Sequence, residues 1–126
     1  MKRRFVLAAL CALVAAPASA QSVKLKDHEI EALLTGNTAV GFWEGQSYRQ
    51  FFGDDGVTLY AQDGARTARG EWRLDAERDE YQSKWPGDAD WEGWYVMEYA
   101  GDFFWVSKST PPTPFRMLPG EQLVAE

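Results

Sequence analysis

The stretch Trp85-Pro86-Gly87-Asp88-Ala89-Asp90-Trp91-Glu92-Gly93-Trp94-Tyr95 gathers three acids and four aromatic rings into eleven residues. Asp88, Asp90 and Glu92 stand at alternate positions and Gly93 follows. Hard oxygen ligands so spaced, with a glycine for the sharp turn, match the front of a calcium loop. The rest of that loop is missing: Tyr99 occupies the twelfth position, where a bidentate Glu belongs, and Pro86-Gly87 precede the acids where a helix would be needed. These three acids are the metal candidate, and a plain acidic hairpin loop accounts for the same residues.

Trp91, Trp94 and Tyr95 are the candidate contacts for a ligand or partner, because exposed Trp and Tyr rings at a rim anchor sugars and protein surfaces. Trp94 and Tyr95 are adjacent, so in a strand they point to opposite faces. One is expected inside and the other outside, with Trp91 at the loop edge. The alternative use of these rings is to lie flat over a barrel end and seal it.

Other chemistry is thinly represented. His28 is the only histidine, and no motif pairs it with a nucleophile. There is no G-x-S-x-G, H-E-x-x-H, C-x-x-C or phosphate loop. Glu71 and Glu80 on neighbouring strands are one conceivable acid–base pair for glycan chemistry, but Arg69, Arg73 and Lys84 nearby suit cross-strand charge pairs instead. No residue is nominated as catalytic, and no cofactor motif is present.

The elements that position these residues follow from periodicity. Ile30, Leu33 and Leu34 fall on one helical face after Asp27, an N-cap candidate, and Gly36 suits the left-handed position that ends a helix. A helix over 27–35 is expected. From Asn37 onward the period becomes two: Ala68, Gly70, Trp72 and Leu74 alternate with charged residues, and Tyr81, Ser83 and Trp85 do the same. Strands are expected at 38–44, 47–52, 57–62, 68–74, 80–85, 92–99, 102–108 and 114–118, joined by turn signals such as Asp63-Gly64. Eight short strands with tight connections imply an antiparallel up-and-down meander closed into a small barrel, with one N-terminal helix. Phe42, Trp72, Tyr81, Trp85, Phe103 and Trp105 are the expected core. A barrel filled by rings has little room for a large ligand.

Residues 1–20 read as an export signal: Lys2, Arg3 and Arg4, an apolar run over 5–16, and Ala18-Ser19-Ala20 as the cleavage site. Cleavage after Ala20 places residues 21–126 in the periplasm or outside the cell as one domain. Cys11, the only cysteine, leaves with the signal, so thiol redox chemistry and disulfides are excluded from the mature chain. Three of the 13 basic residues leave and all 19 acids stay, so 10 face 19 and the net charge is −9. Such a surface repels nucleic acid and anionic lipid. No membrane insertion is expected, and the chain is expected to be a monomer.

The order Leu34-Thr35-Gly36-Asn37-Thr38, Gly41-Phe42-Trp43, Tyr48-Arg49-Gln50-Phe51-Phe52, Asp55-Gly56, Gly70-Glu71-Trp72-Arg73 and Pro119-Gly120 resembles a group of small exported proteobacterial proteins of uncharacterised function. The resemblance covers nearly all of the mature chain and implies an exported helix-plus-meander domain, with no activity attached. In that group one cysteine often follows the Tyr81 position and another precedes the Tyr95 position; Gln82 and Trp94 stand there here. The functional expectation is a non-catalytic binding module for a protein partner or a small ligand at the barrel rim. The alternatives are a carboxylate enzyme acting on glycans and a calcium-assisted adhesion or structural protein.

Overall fold

The computed structural model describes residues 21–124; the export signal expected at 1–20 lies outside them. The period-two segments pair with their sequence neighbours in an antiparallel meander: β2 (Thr38–Trp43), β3 (Gln46–Phe52), β4 (Val57–Gln62), β5 (Ala68–Asp75), β6 (Glu80–Lys84), β7 (Glu92–Tyr99), β8 (Asp102–Val106) and β9 (Thr113–Leu118). β9 returns to pair with β2, with Gly41 opposite Phe115 and Thr38 opposite Leu118, and the eight strands close into a barrel. Two connections are two-residue turns with both central residues at positive φ. These are Glu44 (52°) with Gly45 (81°), and Ala100 (53°) with Gly101 (89°). That geometry matches the right-handed strand twist and holds the register of both hairpins.

An additional strand escaped the sequence reading. β1 (Val23–Lys24) lies beside the second half of β7, Val23 opposite Glu98 and Lys24 opposite Met97. β6 pairs only with the first half of β7, ending at Tyr81 opposite Trp94. β1 therefore occupies a backbone edge that would otherwise be left unpaired. The chain then turns inward: Leu25 is buried and donates its N–H to the Val96 carbonyl at 2.9 Å.

Helix α1 (Asp27–Leu34) follows and closes one end of the barrel. Its Ile30 and Leu34 are fully buried against the cluster that includes Phe52, Trp72, Tyr81 and Val96. The expected cap is shifted by one residue. Lys26 is the N-cap, its N–H bonded to the Glu29 carboxylate at 2.8 Å, and Asp27 is the first helical residue. The Asp27 N–H is met by the Asp79 carboxylate from the β5–β6 turn at 2.8 Å. The other end of the helix leaves through Gly36 at φ 77°, as expected, and the Gly36 N–H binds the Phe52 carbonyl at 2.7 Å. The helix thus lies across the barrel end from the β5–β6 turn to the β3–β4 turn. Among the described residues no helix is long and apolar enough to cross a membrane.

The expected core needs two corrections. Trp72, Tyr81 and Trp105 are buried, and Phe103 packs beside them, but Trp85 is half-buried outside this cluster and Phe42 is 68% exposed. Ala39 lies opposite the inward Gln50, and Gly41 opposite the inward Tyr48. Ala39, Gly41 and Trp43 therefore face the interior, and Val40 and Phe42 face out. A Cβ on Gly41 would meet the Tyr48 hydroxyl at 2.9 Å, so the small residue makes room for the ring. On the outer face, the segment after β9 covers β2. Thr38 Oγ1 donates to the Gly120 carbonyl at 2.7 Å and accepts from the Gln122 N–H at 2.9 Å. Arg49 reaches the Gln122 carbonyl at 2.8 Å.

Asp79 carries two loads, a helix cap and a left-handed backbone at φ 53°. Asp79→Ala removes the cap and leaves the strained backbone, so it is expected to lower stability by about 1–2 kcal/mol. Asp79→Gly relieves the backbone and should lose less. Urea denaturation of the two variants and the parent checks this order; equal losses would show that the backbone is unstrained.

Candidate functional site

The helix seals one end only. At the other end the barrel opens as a cup of about 840 Å³. The expectation that rings would fill the interior is overturned. They form a partition at mid-depth and line the space above it. Phe52 makes edge contacts with Trp72 at 5.4 Å and Tyr81 at 5.5 Å and lies 6.3 Å from Trp105. Tyr81 and Trp105, 5.2 Å apart, form the floor seen from the mouth.

Tyr48 and Tyr60 stack at 5.3 Å on one wall, and Trp85 meets Tyr60 edge-on at 5.9 Å. At the mouth Trp43 and Trp94, from strands that are not neighbours, meet edge to face at 6.0 Å. Seven aromatic rings in all line the cup. The rim adds Glu44, Gln62, Pro86, Glu92, Ser109 and Thr110, from the turns, loops and strand ends at this end.

Small residues create the space. Gly70 faces inward on β5, and a Cβ there would lie 2.5 Å from the Trp85 ring and 2.8 Å from the Lys84 carbonyl. Trp85 can lie across β5 only because Gly70 has no side chain. Ala68 and Ser83 keep neighbouring inward positions shallow.

A buried polar group sits among the rings. The Gln50 amide nitrogen donates to Thr58 Oγ1 and to the Tyr81 hydroxyl, each at 2.9 Å. Both of its N–H groups are used, so what Gln50 has left to offer is an acceptor, its amide oxygen. Trp105 Nε1 donates to the Tyr48 hydroxyl at 3.0 Å. That leaves the Tyr48 O–H as a donor. Burial pushes the Tyr81 phenol up to about 12, against the opposing hydrogen bonds with Ser83 and Gln50. Burial also pushes Tyr60 up to about 12, with further increments from Tyr48 and Glu44, and it raises Tyr48.

The three candidate rings are separated by the barrel wall. Trp94 lines the cup, opposite Tyr81. Tyr95 points outward, with the Lys24 ammonium 4.0 Å from its ring centre. Trp91 is also outside, under the Arg73 guanidinium at 4.0 Å. The expectation of opposite faces for Trp94 and Tyr95 is met: Trp94 is the inner ring, and Tyr95 shares the outer side with Trp91. Gln82 and Trp94 likewise face opposite sides. Gln82 is outside in a network with Arg73 (2.8 Å), Glu80 (3.2 Å) and Asp75 (3.4 Å).

The metal candidate does not assemble. Asp88 closes a turn: its N–H binds the Trp85 carbonyl at 2.9 Å, and its carboxylate accepts the Trp85 N–H at 2.9 Å. Pro86, then Gly87 at φ 95°, supply the two central residues. Asp90 is solvated, and Glu92 belongs to the cup rim. Among the described residues no group of three or more His, Cys, Asp or Glu side chains is placed to hold a metal ion. Glu71 and Glu80 are both on the outer face, in ladder positions four residues apart. At about 3.3 Å per residue that is roughly 13 Å, beyond the roughly 5–9.5 Å of glycosidase carboxylates. His28 is exposed on α1, 3.9 Å from Asp27.

Trp43, Tyr48, Gln50, Tyr60 and Glu44 were not singled out from the sequence as site residues. The signal for most of them was present as strand phase, since Tyr48 and Gln50, like Tyr60 and Gln62, alternate on one face of their strands. Comparison of the chain with protein-family models, curated proteins and solved structures finds no significant match. The class is therefore set by the fold itself: a closed up-and-down β-barrel, plugged at one end by a helix and open at the other as an aromatic cup.

Gly70→Ala is expected to displace Trp85 and to destabilise the barrel by about 1–3 kcal/mol; thermal denaturation and the Trp emission spectrum report the two effects. The tyrosines add a pH dependence. Below pH 10 the phenols are protonated in folded and unfolded chains alike. Between pH 10 and about 12 the unfolded chain ionises first, so stability falls as pH rises, on the order of 2–3 kcal/mol for buried Tyr81. Urea midpoints across this window should fall less steeply for Tyr81→Phe than for the parent chain.

Proposed function

We propose that the protein is a non-catalytic binder of a small, largely apolar ligand held inside the barrel mouth. The carrying observation is the cup itself: about 840 Å³, walled by seven aromatic rings, with polar side chains at its rim and Gln50 and Ser83 at depth. Small-molecule sites have this make-up, a concave apolar volume of roughly 300–1,000 Å³ with a few fixed polar groups. Gln50 supports the reading further, because a buried amide held by two hydrogen bonds presents its oxygen in a fixed direction. Outside the barrel, Trp91 and Tyr95 already have cations over their rings, so they offer less to a partner than the open faces within. Export to the periplasm or beyond is part of the proposal and rests on residues 2–20.

The test is a neutral fluorescent probe, N-phenylnaphthylamine, titrated into the protein. Its emission should rise on entry, with energy transfer from the tryptophans lining the cup. Ala68→Phe should project a ring into the cup and weaken binding by at least about tenfold, with a melting temperature within a few degrees of the parent. Trp91→Ala, on the outer face, should leave binding unchanged. Loss of binding in Trp91→Ala with none in Ala68→Phe would move the site outside and overturn the reading.

A further inference from the structure

The charged side chains that line the cup are of one sign. Glu44 stands on the β2–β3 turn, and Glu92 opens β7 opposite Ser83; both belong to the lining. Among the described residues no Lys, Arg or His lines it. Arg73, Lys24 and Arg49 are engaged on the outer surface, over Trp91, over Tyr95 and at the Gln122 carbonyl; Arg69 and Lys84 stand on the outward phase of β5 and β6, and Lys108 is exposed beside the rim residue Ser109.

The carboxylates act on the interior. Burial is the main cause that holds the protons on Tyr60 and Tyr81, and Glu44 and Glu92 each add the smallest increment. Their negative potential is greatest at the mouth, where both carboxylates lie. Ring faces carry negative charge density of their own, so an aromatic-walled cavity adds to that potential. Gln50 contributes one more acceptor at depth. An anionic guest would meet two carboxylates among the aromatic rings, with no cationic side chain in the lining. A neutral guest would leave the rim charges without a role.

We infer that the cup selects an organic cation, a protonated amine or quaternary ammonium group on a compact apolar body, with its charge at Glu44 and Glu92 and its body against Trp43 and Trp94. This deepens the proposed function and rests on it. Burial of such a cation is favourable because the ring faces and carboxylates replace lost hydration where the dielectric is lowered.

Three probes that share one flat body and differ in charge test the inference: naphthylmethyl-trimethylammonium, naphthylmethanol and naphthalenesulfonate, each titrated against the protein's tryptophan fluorescence. The cation is expected to bind about tenfold tighter than the alcohol, and the sulfonate weakest. The preference should shrink as salt is raised. The double variant Glu44→Gln/Glu92→Gln should erase the cation's advantage and leave the alcohol's affinity within about twofold. Both positions are exposed, and a matching melting temperature establishes that the variant is folded. Equal or tighter binding of the alcohol or the sulfonate, lost in Ala68→Phe, overturns the charge selection and leaves the cup as a site. Failure of all three probes and of the neutral fluorophore overturns both readings.

Discussion

Everything above and below it depends on the edge-to-face packing of Phe52 with Trp72 and Tyr81, backed by Trp105. Each such ring buries about 150–250 Å², which at roughly 25 cal/mol per Å² is a few kcal/mol per residue. Residues 21–126 hold no cysteine, so the cluster does the holding that cross-links do in many small domains. It also divides the barrel. Below it the interior is filled by Leu34, Ile30 and Val96. Above it, rings line a space they do not fill. The polar edges of the partition are satisfied: Trp72 Nε1 binds the Gly53 carbonyl at 2.8 Å, and Tyr81 receives the Gln50 amide. A buried aromatic layer with its polar atoms paired has one low-energy arrangement, and that makes it a rigid floor.

Most of the fold was legible in the amino-acid order. The ranges of β4 and β7 match the alternation residue for residue, and the helix ends at the glycine that its pattern marks. Two features were hidden for physical reasons. β2 presents Val40 and Phe42 on the wrong face for a simple reading, because the inner positions are given to Ala39 and Gly41 so that Tyr48 can fit. Size is a poor guide to phase where a neighbour's ring takes the space. β1 is two residues long and owes its existence to the shortness of β6, a property of the partner and not of Val23 or Lys24.

The site was less legible than the fold. Clustering of rings in one stretch drew attention to Trp91, Trp94 and Tyr95, yet a strand sends neighbours to opposite faces, and only Trp94 reaches the cup. The lining is assembled from positions scattered from Trp43 to Thr110, and only closure brings them together. The acids of the same stretch divide between a turn brace, Asp88, and a rim charge, Glu92. Volume was the least legible quantity. Counting rings measures how much apolar surface is buried, whereas the cup depends on where Gly70, Ala68 and Ser83 interrupt them.

The seam between β2 and β9 joins the two ends of the meander, and the strap that follows reaches back to Thr38 across 84 residues of chain. Hairpins such as the one at Glu44-Gly45 can zip as soon as they are made, but the ring cannot close until its last strand is present. Contacts of such sequence separation slow folding and defer the main gain in stability to the end of the process. A chain missing its final residues would hold an open, curled sheet with two unpaired edges, prone to associate with its own kind. The cup is thus among the last things this chain acquires, because its mouth becomes a ring only when β9 docks.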